Sequence, residues 1–328
     1  MQLLKAIFVL VASVALAEAK ALTRKVFSPY ALTNKTLVLY DERIQDDFTS
    51  QYSQLLQAIR SAGSDVDVRR IEPDSAIALF DDYEQRLYDN LLVMPSKSRL
   101  LASNLDFKSL EEFSRKGGNM LLLTSGQGSQ TDVSVFLNQL GIYPSPKAYR
   151  LVDYHHSNNW QLGVDKIENP VFLNTHIVPE GSQVSELAYE NGSAALLAGN
   201  EFIIPVLRAK ETSITYDVDR GFVGSQSTWH SGSDGFLMLA HQARNNARVF
   251  WAGSDTFLAD SHFQKDLAHG IWRWVSRVNG VLKSDRFEHT KVDRDGLPLA
   301  VQDGYKVKDF CKFETAFSKW NGTAWVPY

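Results

Sequence analysis

A chain of 328 residues that is 44% hydrophobic, 22% charged and 11% aromatic has an ordinary globular balance, and its length allows roughly two domains. The net charge of −4 survives removal of residues 1–19, where Lys5 and Glu18 cancel, and it argues against a nucleic-acid partner. A single cysteine, Cys311, excludes an internal disulfide, so the fold must be held by its core.

In chain order, Lys5 precedes an apolar run from Ala6 to Leu16, and Ala17-Glu18-Ala19 fits a small-x-small cleavage site. Residues 1–19 therefore read as a secretory signal peptide, the run being shorter than the ~20 residues a bilayer requires. Behind such a leader, Asn34-Lys-Thr36, Asn191-Gly-Ser193 and Asn321-Gly-Thr323 make Asn34, Asn191 and Asn321 glycosylation candidates wherever they lie on accessible loops.

Thr36 to Tyr40 is a buried strand followed by Asp41. Tyr52, Leu55, Leu56, Ile59 and Ala62 share one helical face closed by Gly63. Val66 to Ile71 and Tyr88 to Met94 are the next strands, the latter stopped by Pro95. A helix over Leu105 to Lys116 ends at Gly117-Gly118, a strand over Met120 to Thr124 ends at Ser125-Gly126, and a helix over Asp132 to Leu140 ends at Gly141. This alternation predicts an α/β fold, a parallel sheet with helices on both faces. From 147 to 234 the pattern loosens into short runs, Phe202 to Leu207 and Ser213 to Val218 among them, read as an irregular insertion or a sheet extension before the core resumes at Phe236 to Ala240.

The chain is organised around Gln242 to Phe263. Asn245-Asn246 reads as a turn, Arg248 to Ala252 as a strand buried on both faces, and Gly253-Ser254-Asp255 as its end. A helix follows over Gln264 to Val278, with Leu267, Ile271, Trp274 and Val278 inward and Gly280 as its stop. A strand ending in small residues is where such folds place ligands, and the same unit also closes domains that bind nothing. Beyond it, Asn321-Gly322 predicts a hairpin into Trp325-Val-Pro-Tyr328, the start of an all-β unit.

The chemistry expected of an enzyme is sparse. Thr124-Ser125-Gly126-Gln127-Gly128 is a strand-to-helix elbow without the G-x-S-x-G pattern, which leaves Ser125 with a distant His as an unforced alternative. Asp153, His155 and His156 could ligate a metal, but adjacent histidines in an extended run point to opposite faces, and a polar loop is the simpler reading. Asp255, Asp260 and His262 could form an acid–base set or serve as loop caps. No cofactor motif is present, G-x-G at Gly126 being too short for a phosphate cradle. These readings favour a scaffold or binding subunit. A secreted α/β hydrolase or carbohydrate-binding protein using Ser125 or the Asp255/His262 region, and a freestanding lumenal interaction module, are the alternatives.

Leu87-Tyr-Asp-Asn-Leu-Leu92, Gly117-Gly118 ahead of an apolar strand, and above all Gln242-Ala-Arg244-Asn245-Asn246-Ala-Arg248 with Gly253-Ser254-Asp255 resemble the forty-eight-kilodalton subunit family of oligosaccharyltransferase. Trp325-Val-Pro-Tyr328 is similar to the family's β region, so the resemblance runs from about Thr36 to the end. It implies a lumenal, non-catalytic glycoprotein subunit of the endoplasmic-reticulum complex that transfers lipid-linked oligosaccharide to asparagine, with no catalytic, cofactor or metal residue of its own. Implied partners are the catalytic multi-spanning subunit, ribophorin-type subunits and the defender-against-cell-death-type subunit. The implied domains are a flavodoxin/amidotransferase-like α/β lumenal domain over 20–282, carrying the insertion over about 147–234, and an incomplete β domain over 283–328. Family members are single-pass type I proteins. Membrane association is therefore expected through the complex, or through a C-terminal helix that this sequence does not include.

Overall fold

The computed structural model describes residues 35–72, 74–126, 131–153, 163–174, 177, 184–198, 200, 202–217 and 228–278, with the backbone of 318–320 and 325–327. The expected signal peptide, Asn34, Asn321, His155, His156, Gly128, Gly280 and Cys311 lie outside these residues.

The strands at the centre are short apolar runs, as burial on both faces requires. They are β1 (Lys35–Tyr40), β3 (Asn90–Val93) and β4 (Asn119–Leu123), while the charged and partly exposed β2 (Asp65–Arg70) forms the edge beside β1. Four helices are interleaved: α1 (Phe48–Gln51), α2 (Ser53–Ser61), α3 (Phe107–Arg115) and α4 (Thr131–Leu140). The later elements are β5 (Ile142–Pro144), β6 (Tyr149–Asp153), β7 (Lys166–Glu168), β8 (Glu186–Ala188), β9 (Ala195–Leu197), β10 (Ile203–Arg208), β11 (Ser213–Asp217), β12 (Thr228–Ser231), β13 (Phe236–Gln242), β14 (Arg248–Ala252) and α5 (Lys265–Val275). Strands β15 (Ser318–Trp320) and β16 (Trp325–Pro327) pair antiparallel, with Trp320 opposite Trp325.

In the main sheet the order is β2-β1-β3-β4-β14-β13, continued by β9 and β5, with β10 also paired to β13. The first five strands are mutually parallel. The strand pleat sends alternate residues to opposite faces. Val38, Leu92, Leu121 and Phe250 meet Leu55, Leu56 and Ile59 of α2 and Leu267, Ile271 and Trp274 of α5. Leu37, Leu91, Met120, Leu122, Val249 and Trp251 meet Leu110 and Phe113 of α3 and Val133, Phe136 and Leu137 of α4. Helices thus cover both faces, and each fully buried Leu or Phe contributes about 1.5–3 kcal/mol.

The helix ends follow local chemistry. The Asp106 carboxylate accepts the Ser109 N–H at 2.9 Å and starts α3. Gly63, Gly117 and Gly141, with φ of 88°, 87° and 88°, follow α2, α3 and α4 in the left-handed backbone that a side chain would strain.

Two expectations are refined and one left open is decided. The sheet is mixed, because β13 runs antiparallel to β14; the turn joining them is too short for a crossover. Within 147–234, β9 and β10 join the main sheet through β13, while β6-β11-β12 and β7-β8 form two small antiparallel sheets. Helix α5 ends at Val275 and Arg277 turns the chain with φ 63°, so Val278 leaves the buried face and is 49% exposed.

Candidate functional site

In a doubly wound sheet the ligand position lies at the carboxyl ends of the strands, where the strand order reverses. Here the reversal is between β1 and β3. Asp41 follows β1, Ser96 and Lys97 follow β3, and Asp255 follows β14. Asp41 accepts the Ser96 hydroxyl at 2.7 Å, the Lys97 N–H at 2.8 Å and the Arg43 Nε at 2.9 Å. Burial alone would raise its pKa. The hydrogen bonds from Arg43, Ser96 and the backbone outweigh that effect and hold the carboxyl well below the usual range.

Gln45 reads both ends of this edge. Its carbonyl accepts the Asp41 N–H at 3.1 Å, and its amide donates to Pro95 O at 3.2 Å and to Asp255 Oδ2 at 3.4 Å. Tyr52 Oη donates to the same Asp255 oxygen at 2.7 Å. Burial pushes the Asp255 carboxyl up, and the bonds from Tyr52 and Gln45 offset this only in part. Burial, then the Asp255 charge, pushes the Tyr52 phenol up, so it keeps its proton. Sequence reasoning placed Tyr52 on a packing face and missed Gln45; no local pattern distinguishes either as a partner of Asp255.

Asp255, Asp260 and His262 share no hydrogen bond among the described residues. Asp260 instead accepts the Ser53 and Gln54 N–H groups at 3.1 and 2.9 Å, capping α2 from another element. His262 lines a 430 Å³ cleft with Asp165, Glu186 and Glu190. Ser125 Oγ has no hydrogen-bond partner, so no described histidine activates it. Asp153 is buried and accepts the Thr212 hydroxyl at 2.7 Å. Among the described residues there is no group of three His, Cys, Asp or Glu side chains able to hold a metal ion.

The long motif is spent on architecture. Gln242 Nε2 donates to Asn246 Oδ1 at 3.2 Å, and Asn246 takes φ 62° at the turn. Asn245 Nδ2 donates to Ser114 O and Arg115 O at 2.9 and 2.8 Å, satisfying the last carbonyls of α3. The Arg244 guanidinium lies 5.1 Å from the Phe202 ring centre. Ser254 Oγ donates to Glu190 O at 3.1 Å. Gly253 is required because a Cβ there would lie 2.0 Å from Ser193 O and 2.5 Å from Tyr189 Oη. That contact also bears on the Asn191 sequon. Asn191 O accepts the Gly126 N–H at 2.8 Å, the residue has φ 49°, and the sequon's hydroxyl residue Ser193 is only 2% exposed.

At the amino ends of the parallel strands a polar ladder crosses the sheet. Thr36 Oγ1 and Ser64 Oγ are 2.6 Å apart, and Asn90 Nδ2 donates to Thr36 Oγ1 at 3.3 Å. Asn119 Nδ2 donates to Asn90 Oδ1 at 3.0 Å, while Asn119 Oδ1 accepts Arg248 N–H at 3.2 Å and Arg277 Nε at 2.9 Å. Arg248 is fully buried, donates to Trp274 O at 2.6 Å and lies 5.3 Å from the Trp274 ring centre. Burial, then the charge of Arg277, pushes its guanidinium down to about 9, which still leaves it charged at neutral pH.

Comparison with known proteins agrees with this architecture. The family described as "OST48, N-terminal domain" matches residues 29–282. The dolichyl-diphosphooligosaccharide–protein glycosyltransferase subunit WBP1 of Saccharomyces cerevisiae is 32% identical over 94% of this chain and 69% of its own length. The 48 kDa subunit of the same enzyme from Danio rerio is 25% identical over 90% of this chain, and again 69% of that protein is covered. Among solved structures, the mmIFT52 N-terminal domain superposes with a TM-score of 0.50 at 12% identity, over 76% of this chain and 98% of that one, a likeness of fold alone. By the extent of the family match and the identity to its yeast relative, the chain belongs to the oligosaccharyltransferase 48 kDa subunit family.

Proposed function

We propose that this chain is a non-catalytic accessory subunit of the oligosaccharyltransferase complex, acting at the endoplasmic-reticulum membrane. There it supports assembly and en bloc transfer of lipid-linked oligosaccharide to asparagine without performing the chemistry. The observation that carries the reading is the use made of the switch point. Asp41, Gln45, Tyr52, Ser96 and Asp255 are hydrogen-bonded to one another or to neighbouring backbone where a ligand-binding relative would leave groups for a substrate. The motif residues Gln242, Asn245, Asn246, Arg248 and Gly253 likewise hold the frame. Its partners on this reading are the catalytic multi-spanning subunit, ribophorin-type subunits and the defender-against-cell-death-type subunit. The signal peptide over 1–19 delivers the chain to the lumen. Among the described residues no helix is long and apolar enough to cross a membrane.

The test replaces Ser125→Ala, Asp255→Asn and His262→Ala in the assembled complex. Glycosyl transfer at the parental rate is expected wherever the variant folds and assembles. Loss of turnover by a well-folded, normally incorporated variant would overturn the reading. So would affinity capture from detergent-solubilised microsomes that recovers no glycosyltransferase subunit.

A further inference from the structure

The segment Leu79–Leu87 is a tight hairpin on the sheet's α3 side whose tip has no internal task. Leu87 N–H donates to Leu79 O at 2.9 Å and Asp81 N–H to Gln85 O at 2.8 Å. The Asp81 side chain accepts both the Tyr83 and Gln85 N–H groups, at 2.9 and 2.8 Å. Glu84 adopts φ 60°, a conformation that costs a non-glycine residue about 1 kcal/mol or more. Lys116 stabilises it by donating to Glu84 O at 2.9 Å and Glu84 Oε2 at 3.1 Å. Both arms are pinned: Phe80 packs on Phe113 and beneath Lys116, and Arg86 donates to Gly117 O at 3.1 Å. This reinforcement holds out one residue, Tyr83, which is 84% exposed.

The solvated Tyr83 ring at the tip adds nothing to the domain's own core. It does lower the ordering cost of an interface, because the aromatic is already positioned. Tyrosine is among the residues that dominate interface energetics when they enter a desolvated pocket. The charge around the tip selects the partner. Asp82 and Glu84 flank Tyr83, and Glu84 is 85% exposed in its side chain. Lys116 offsets the Glu84 charge, so it is the Asp82 carboxylate that repels an anionic membrane surface or a second acidic tip.

We infer that the Leu79–Leu87 hairpin is a docking knob, with Tyr83 entering an apolar socket rimmed by Lys or Arg on a partner protein. The inference stands on the hairpin and does not require the partner to be a glycosyltransferase subunit.

The test places a benzophenone amino acid at position 83 of the full chain in cells, irradiates, and sequences the cross-linked peptide. The expected product is a single peptide from another protein carrying apolar residues beside Lys or Arg. Asp82→Lys should lower its yield about tenfold by reversing the tip's charge. Tyr83→Ala should weaken association with that protein about thirtyfold while leaving thermal unfolding unchanged. Cross-linking to lipid, to a second copy of this chain or to nothing overturns the inference, as does a yield insensitive to Asp82→Lys. A matching peptide from a protein outside the glycosyltransferase would support the knob and count against the proposed function.

Discussion

Tyr52 Oη donates a 2.7 Å hydrogen bond to the buried carboxylate of Asp255, joining residues 203 positions apart. It ties the short α1–α2 connection to the end of β14 and closes the carboxyl edge of the sheet. Tyr52→Phe keeps the ring and its stacking on Phe48 but leaves Asp255 with the longer Gln45 bond. A loss of about 1–3 kcal/mol in urea unfolding is expected.

The two carboxylates of this edge titrate in opposite senses. Asp255 has its pKa raised by burial, so the folded state favours its protonated form. Its contribution is present below the unfolded value of about 3.9 and is lost as pH rises through the folded one. Asp41 is lowered, so its contribution is present above about 3.9 and is lost as pH falls through its folded value. In melting temperatures measured against pH, wild type should lose ground to Asp255→Asn as pH rises above about 4. The advantage of wild type over Asp41→Asn should instead shrink on acidification.

Gly253→Ala tests the close approach of the Tyr189–Ser193 turn to the end of β14. The added Cβ would meet backbone oxygen at 2.0 Å, which no rotamer change relieves. The expected cost is about 3 kcal/mol, near the upper end for overpacking, read from the shift of the urea midpoint at constant slope.

Asn119→Ala removes the rung that receives Arg248 and Arg277 and donates to Asn90. Buried polar groups that lose partners cost more than the bonds themselves contribute. About 3 kcal/mol of stability should be lost. Hydrogen exchange should speed up in β4 and β14 together, since the ladder joins their amino ends.

The Asn191 sequon should be accepted by the transferase only before the domain folds. Ser193 is 2% exposed and its N–H donates to Gly253 O at 2.9 Å, so the folded acceptor triplet cannot enter an enzyme cleft. Native chain offered to active oligosaccharyltransferase with a lipid-linked donor should remain unmodified at Asn191, whereas denatured chain should be modified there. Peptide mass spectrometry after glycan release distinguishes the two.

The sequence by itself determined β1 to β4, α2 to α4, β10, β11, β13, β14 and α5. Apolar runs such as Leu37–Leu39 and Met120–Leu123, the spacing of Leu55, Leu56 and Ile59, and the stops at Gly63, Gly117 and Gly141 are local signals, set by neighbouring side chains and backbone sterics. It also carried the family, through the run from Gln242 to Asp255. Only the tertiary structure decided what the polar residues do. Asp260 could have joined an acid–base set or served as a cap, and it caps α2, which the sequence did not name as its partner, while Asp255 is bound by Tyr52 and Gln45 from the opposite end of the domain. Asn245 looked like a turn residue and also closes α3. The antiparallel course of β13 was equally hidden, and the choice between insertion and sheet extension for β9 and β10 was left open. The reason is physical: backbone preference is encoded over a few residues, whereas a side chain's partner is chosen by whichever distant element the packed sheet brings within about 3 Å.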